Sequence, residues 1–197
     1  MLRSDLLVAC REGNTEGVKR CLADPNINPN GQDIFGYSPF YVACFHRHIK
    51  IVKLLLKDER VDVKQENIYG ASPFLTACQY EHLEVVKLLL ADERVDINQP
   101  NMNGRTPLMS ACTFGSIDIV KLLLVCGREV DVVAEDCEEK TALDRAIERK
   151  RSEIVELIEQ FILNPIETRA KLRKELGYSG KNSYSHLLID SFNFILF

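Results

Sequence analysis

Apolar positions along this chain fall into two kinds of block that alternate and return at a fixed interval. The first kind reads Gly36-Tyr37-Ser38-Pro39-Phe40-Tyr41-Val42-Ala43-Cys44. It recurs as Gly70-Ala71-Ser72-Pro73-Phe74-Leu75-Thr76-Ala77-Cys78 and as Gly104-Arg105-Thr106-Pro107-Leu108-Met109-Ser110-Ala111-Cys112. The second kind is Ile51-Val52-Lys53-Leu54-Leu55-Leu56, followed by Val85-Val86-Lys87-Leu88-Leu89-Leu90 and Ile119-Val120-Lys121-Leu122-Leu123-Leu124. Connecting stretches repeat as well, Asp58-Glu59-Arg60-Val61-Asp62 returning as Asp92-Glu93-Arg94-Val95-Asp96. Weaker copies flank these three, at Ala9-Cys10 with Val18-Lys19 and at Thr141-Ala142-Leu143 with Ile154-Val155. The pattern predicts five helix-turn-helix units over residues 1–163, at approximately 1–30, 31–64, 65–98, 99–133 and 134–163.

Each unit carries its own start signals. Gly36, Gly70 and Gly104 stand where a tight turn requires positive φ. Two residues on, Ser38, Ser72 and Thr106 are natural N-caps for the first helix. Pro39, Pro73 and Pro107 then take the first helical position, where the missing N–H costs nothing. Phe40, Phe74, Leu108 and the small Ala-Cys pairs are expected to face inward between closely packed units. Helices of about ten residues are marginal alone in water, so stability has to come from stacking neighbours.

A repeat of 34 residues is shared with tetratricopeptide repeats, but the chain has no tryptophan and no Leu-Gly…Tyr pattern. Its G-x-[ST]-P-[FL]-x-x-A-C block before a second apolar helix resembles the ankyrin repeat, G-x-T-P-L-H-x-A-A followed by G-H-x-E-I-V-x-L-L. The likeness covers about four-fifths of the chain. It implies an all-α ankyrin-repeat solenoid with β-turn tips. Where the family commonly has a histidine after the Leu, this chain has Tyr41, Leu75 and Met109. Apolar packing is therefore expected to replace a hydrogen bond to the adjoining turn, leaving the turns less rigidly held. The second helix is expected to run on without a glycine cap, except at Cys126-Gly127.

The fifth unit is the most polar, with Glu139 at the turn glycine and Ala142 at the proline, which suits a C-terminal cap. Ser152 is expected to cap its second helix. Asn164-Pro165-Ile166-Glu167 reads as the cap, proline and capping-box acid of one more helix, with Gly177 as its stop. Residues 164–197 thus form a helical extension and an apolar tail.

Composition narrows the function. A net charge of −4 argues against nucleic-acid binding, which needs a basic face. No signal peptide is read at the N-terminus, and no apolar run reaches the ~18–20 residues that span a bilayer. Seven cysteines, an odd number with no C-x-x-C pair, fit reduced thiols in a cytoplasmic or nuclear protein. No catalytic constellation is found, so no enzyme and no cofactor is expected. His46-Arg47-His48 lacks the further ligands of a metal site, and by the resemblance His48 and His82 take the family's structural Gly-His position. Cys10, Cys44, Cys78 and Cys112 recur beside alanine as small buried residues. The periodic Lys19, Lys53, Lys87 and Lys121 read as a solvated face, with an acidic partner as the alternative. Asn28 and Asn98 stand at a position that asparaginyl hydroxylases modify in some proteins of the family.

In ankyrin arrays recognition usually falls on the concave side, made by turn tips and the exposed face of the first helix. The slots there hold Ile34, Phe35, Tyr37, Phe45, Ile68, Tyr69, Tyr80, Met102 and Phe114, together with Arg105. A solvated surface does not select so many rings and long apolar side chains; the alternative is that some lie flat against a neighbouring turn. The chain is read as a non-catalytic scaffold or adaptor, monomeric, that binds a protein partner. A regulatory or inhibitory subunit is the second reading. A membrane-tethered adaptor is the third, resting on the tail 187–197, which is otherwise expected to fold back over the last unit.

Overall fold

The computed structural model describes residues 2–178; the apolar tail at 187–197 lies outside the described residues. Ten helices form five antiparallel pairs: α1 (Leu2–Glu12) with α2 (Thr15–Leu22), α3 (Pro39–Phe45) with α4 (Ile49–Leu56), α5 (Pro73–Gln79) with α6 (Leu83–Leu90), α7 (Pro107–Phe114) with α8 (Ile117–Val125), and α9 (Ala142–Glu148) with α10 (Ser152–Leu163). An eleventh, α11 (Pro165–Glu175), follows. Odd-numbered helices α1 to α9 pack side by side as one layer, even-numbered α2 to α10 as a second. There is no strand among the described residues, and the expected all-α stack of five units is observed.

Local chemistry sets the helix starts as expected. The hydroxyls of Ser38, Ser72 and Thr106 accept from the N–H of Tyr41, Leu75 and Met109 at 3.1, 3.1 and 3.2 Å, with proline at the first position of each helix. Thr141 caps α9 in the same way and closes a capping box with Asp144. Two expected caps differ. Ser152 is already inside α10, whose cap position is Arg151. Asn164 does stand at the cap of α11, but its side chain makes no capping bond; the Thr168 hydroxyl instead donates to the Gln160 carbonyl at 3.0 Å. Gly177 takes φ +78° beyond α11, the stop that was expected.

The core is one continuous cluster running through all five units. Phe40, Phe74 and Leu108 are almost fully buried at the same place in successive units, as are Cys44, Cys78 and Cys112. Each large side chain withdrawn from water contributes about 1.5–3 kcal/mol, so the stack holds helices too short to stand alone. Burial pushes the thiols of Cys10 and Cys112 up to about 12 and those of Cys44 and Cys78 higher still. Such thiols stay protonated and inert. Cys126 is buried and Cys137 exposed.

Helices α2, α4 and α6 end without a glycine, whereas α8 ends at Cys126 with Gly127 beyond it at φ +76°, as expected. Carbonyls at the ends of α2 and α4 are taken by arginines from further along the chain. Arg60 Nη2 donates to the Leu22 carbonyl and Arg94 Nη2 to the Leu56 carbonyl, each at 2.9 Å. Asp58 and Asp92 hold these guanidiniums with short two-pronged contacts. At the end of α8 the donor is Arg169 of α11, whose Nε reaches the Leu124 carbonyl at 3.0 Å. Helix α11 therefore lies across α8 and α10 rather than joining the odd-numbered layer.

Three of the four periodic lysines are paired: Lys19 with Glu16 and Lys87 with Glu84 along their own helices, and Lys121 with Glu175 of α11. The asparagine equivalent to Asn98 is Asn30, not Asn28. Asn30 bridges to the next linker through the Arg60 carbonyl and the Asp62 N–H, as Asn98 does through Glu129 and Asp131. Asn28 only accepts from the N–H two residues on, the part Asp62 and Asp96 play in later units.

Candidate docking surface

Between successive helix pairs the chain projects as a finger, and one acceptor organises each finger. Asp33 Oδ1 accepts from the N–H of Phe35 and Tyr37, Asn67 Oδ1 from Tyr69 and Ala71, and Asn101 Oδ1 from Asn103 and Arg105, all at 2.9–3.0 Å. Asp136 does the same for Glu138 and Lys140. Neighbouring fingers are then joined by single backbone bonds, Ile68 N–H to the Phe35 carbonyl at 3.1 Å and Met102 N–H to the Tyr69 carbonyl at 3.2 Å. The fingers approach so closely that a Cβ on Gly36 would lie 2.8 Å from the Ile68 nitrogen, and one on Gly70 would lie 2.7 Å from that of Met102. Glycine is required there for space as well as for positive φ.

The expectation of loosely held turns is overturned. Tyr41, read as purely apolar, accepts hydrogen bonds at its hydroxyl from Asn67 Nδ2 and Thr76 Oγ1, both at 3.0 Å. Met109 offers its thioether to the Thr106 N–H at 3.4 Å. Only Leu75 is an apolar replacement in the full sense, buried within its own unit. Burial raises the Tyr41 phenol above its ordinary range, against the lowering effect of the Thr76 and Asn67 bonds. It remains neutral and able to accept.

This anchored frame presents apolar side chains outward. Ile34, Phe35, Ile68, Tyr69 and Met102 crown three consecutive fingers, Ile34 at 85% and Met102 at 74% exposure. Phe45, Tyr80 and Phe114 are exposed at the ends of the odd-numbered helices. Tyr37 departs from that pattern: it is half-buried and stacks on Tyr41, ring centroids 4.8 Å apart and planes 7° from parallel. The rings form a row, Phe35 to Tyr37 at 5.8 Å, Tyr37 to Tyr41, Tyr41 to Phe45 at 6.5 Å, and Phe45 edge-on to Tyr80 at 5.0 Å. Tyr41 supports this row from beneath. Its part is not legible in the repeat pattern, which marks only the missing histidine.

Arg105 is half-buried, with Asp136 at 3.7 Å and Glu138 at 3.9 Å. It belongs to an ionic cluster in the fifth finger, where Asp136, without side-chain exposure, meets the guanidinium of Arg145. Glu138, Glu148 and Lys140 complete the cluster. Burial alone would raise the Asp136 carboxyl, but hydrogen bonds from Arg145 and from the N–H groups of Glu138 and Lys140 hold it below its ordinary value.

His48 and His82 are structural donors. His48 Nε2 donates to the Arg11 carbonyl at 3.2 Å and His82 Nε2 to the Phe45 carbonyl at 2.9 Å, tying α4 to α1 and α6 to α3, the first helix of the preceding unit. His46 packs edge-on against Phe45; partial burial, then the neighbouring His48 and Arg11, lower its affinity for a proton. Among the described residues no three His, Cys, Asp or Glu side chains converge as a metal-binding group, and no helix is long and apolar enough to cross a membrane.

A family model described as ankyrin repeats (3 copies) matches residues 6–101 and again 91–164. No curated protein gives a significant match.

Proposed function

Because the chain belongs to the ankyrin-repeat family, we propose that it is a non-catalytic adaptor whose fingertips and ring row dock a protein partner. Ankyrin repeats are generic protein–protein interaction modules, and the family is typically non-catalytic. The observation that carries the proposal is the exposure of Ile34, Phe35, Ile68, Tyr69 and Met102 along three fingers whose backbones are fixed by side-chain acceptors and by each other. A prearranged apolar edge loses little conformational freedom on binding, so less of the contact free energy is offset by ordering it. Aromatic side chains held in such an edge are the usual energetic anchors. Phe35, Tyr69, Phe45 and Tyr80 fill that role here, with Ile34, Ile68, Met102 and Phe114 around them. Tyr37 contributes its exposed edge, and Arg105 a charge at the far end.

The partner is an apolar or aromatic protein segment, and the location that goes with this reading is the cytoplasm or nucleus, as a monomer. The test is capture from native lysate with the wild-type chain and with a Phe35→Ser/Tyr69→Ser variant. Unchanged helicity with lost capture is the expected result; equal capture by the variant, or loss of folding, refutes the surface. Adding an activity assay of the captured partner separates a passive adaptor from an inhibitory subunit.

A further inference from the structure

The stack has an unfinished end. In internal units the residue after the paired alanine is Cys44, Cys78 or Cys112, wholly enclosed. In the fifth unit that place holds Ile147, which is 52% exposed. Leu143 occupies the site of the enclosed Phe40, Phe74 and Leu108 and is only half-buried. Val155 stands where Val52, Val86 and Val120 are fully enclosed and is likewise open. One turn pair further along α10 on the same face is the exposed Ile162. The other faces of α10 are taken: Ile154, Ile158 and Phe161 point into the core, while Glu153, Glu156, Leu157 and Gln160 line the cleft against α11. The open face is therefore the side against which a sixth unit would stack. Glu159 stands on it between Val155 and Ile162. Leu143, Ile147, Val155 and Ile162, however, are apolar where a terminal unit ordinarily carries polar residues, so the expected polar cap is met only in part.

We infer that residues 187–197 of this same chain seat on that face and close the stack. Eight of these eleven residues, Leu187, Leu188, Ile189, Phe192, Phe194, Ile195, Leu196 and Phe197, are strongly apolar, and the segment carries a single charge, Asp190. Its starting point suits the site. Helix α11 runs back along α10 and ends with Glu175 2.5 Å from Lys121, beside Ile117 and Glu153, which is the Val155 end of α10. From Tyr178, the eight residues 179–186 can reach up to about 27 Å. The whole of α10, at twelve residues, is only about 18 Å long. The segment thus reaches every part of the face without displacing α11. This end cap is independent of the docking surface, which lies on the second to fourth units.

The experiment uses the full chain and its Phe192→Ser/Phe194→Ser and Ile147→Ser variants, followed by amide hydrogen exchange. Both variants are expected to speed exchange in α9 and α10 roughly tenfold or more while leaving α1 to α4 unchanged. Combining them is expected to add nothing further, because each removes the same contact. Unchanged exchange in α9 and α10, or effects that simply add, overturns the inference. So does a concentration-dependent dimer in sedimentation that the Phe192/Phe194 variant loses, since the occupant is then a second copy. Co-sedimentation of the wild type alone with phosphatidylcholine–phosphatidylserine vesicles also overturns it, in favour of a lipid surface.

Discussion

Arg94 ends a helix that lies one unit behind it: its Nη2 donates to the Leu56 carbonyl at 2.9 Å, while Asp92 grips the same guanidinium through both oxygens. A helix leaves its last carbonyls without intrahelical donors, and many helices answer with a glycine turn. Here the answer comes from the next linker, and it couples neighbouring units as it caps. The fork shape of the guanidinium matters, because one planar group serves Asp92 and the carbonyls of Leu56 and Val61 together.

Arg94→Ala is accordingly expected to cost about 1–2 kcal/mol in urea unfolding, and Arg94→Lys is expected to recover less than half of that. An ammonium can meet the aspartate or the carbonyls, not both. Full recovery by lysine would mean that only the charge matters.

Tyr41→Phe separates support of the fingers from docking. The ring stack with Tyr37 and Phe45 is kept, but Asn67 Nδ2 and Thr76 Oγ1 lose their acceptor in a buried setting. A loss of about 1–3 kcal/mol is expected. Partner capture is expected to persist at temperatures where the variant is folded, because the exposed rings are untouched. Thermal unfolding and pull-down, run side by side, check both halves.

These two contacts mark the boundary of what the sequence discloses. Caps such as Ser38 to Tyr41 are three residues long, so the repeat displays them directly. The frame of exposed rings was legible too, because each finger position recurs and its neighbours are polar. Arg94 and Leu56 are 38 residues apart, and Tyr41 and Asn67 are 26 apart. Pairings across units depend on how far one unit is rotated against the next, which no single repeat encodes. The half-burial of Tyr37 has the same origin: it stacks on Tyr41, whose place is itself fixed by the following finger. Ser152 and Asn164 misled for a simpler reason. Cap residues at both places are of the right type, but the chain enters α10 one residue earlier and α11 directly from α10, so neither hydroxyl nor amide meets an orphan N–H.

Glu81 occupies a left-handed turn at φ +58°, and the equivalent residue of the next unit is Gly115 at φ +92°. A side chain in that region pays a steric cost of about 1–2 kcal/mol, partly offset because glycine leaves the unfolded chain freer. Glu81→Gly is therefore expected to raise the melting temperature by about 1–3 °C. The reverse change, Gly115→Ala, is expected to lower it by more: the added Cβ would lie 2.7 Å from the Arg151 guanidinium, which donates to the Phe114 carbonyl.

The fifth finger gives the protein an acid-sensitive end. Burial opposes ionisation of Asp136, yet Arg145 and two backbone N–H groups outweigh it, so its folded pKa lies below the ordinary 3.8. Glu138 and Glu148 are held below the ordinary 4.5, Glu138 first by Arg145 and Glu148 first by Lys140. A carboxyl whose folded pKa is depressed stabilises the fold fully above its unfolded value, and that contribution drains as pH falls through the folded value. Melting temperature is thus expected to fall from about pH 5 downward, with amides of α9 exchanging first. Asp136→Asn isolates the charge, because Asn67 and Asn101 show that an amide oxygen organises a finger equally well. At neutral pH this variant is expected to lose about 1–3 kcal/mol, as Arg145 gives up its buried charged partner and keeps only the more exposed Glu138 and Glu148. As pH falls through that depressed folded value the deficit should shrink, because the wild type's Asp136 then takes up the proton and is neutral too. A constant deficit across the whole pH range would show that the turn, not the ion pair, was lost.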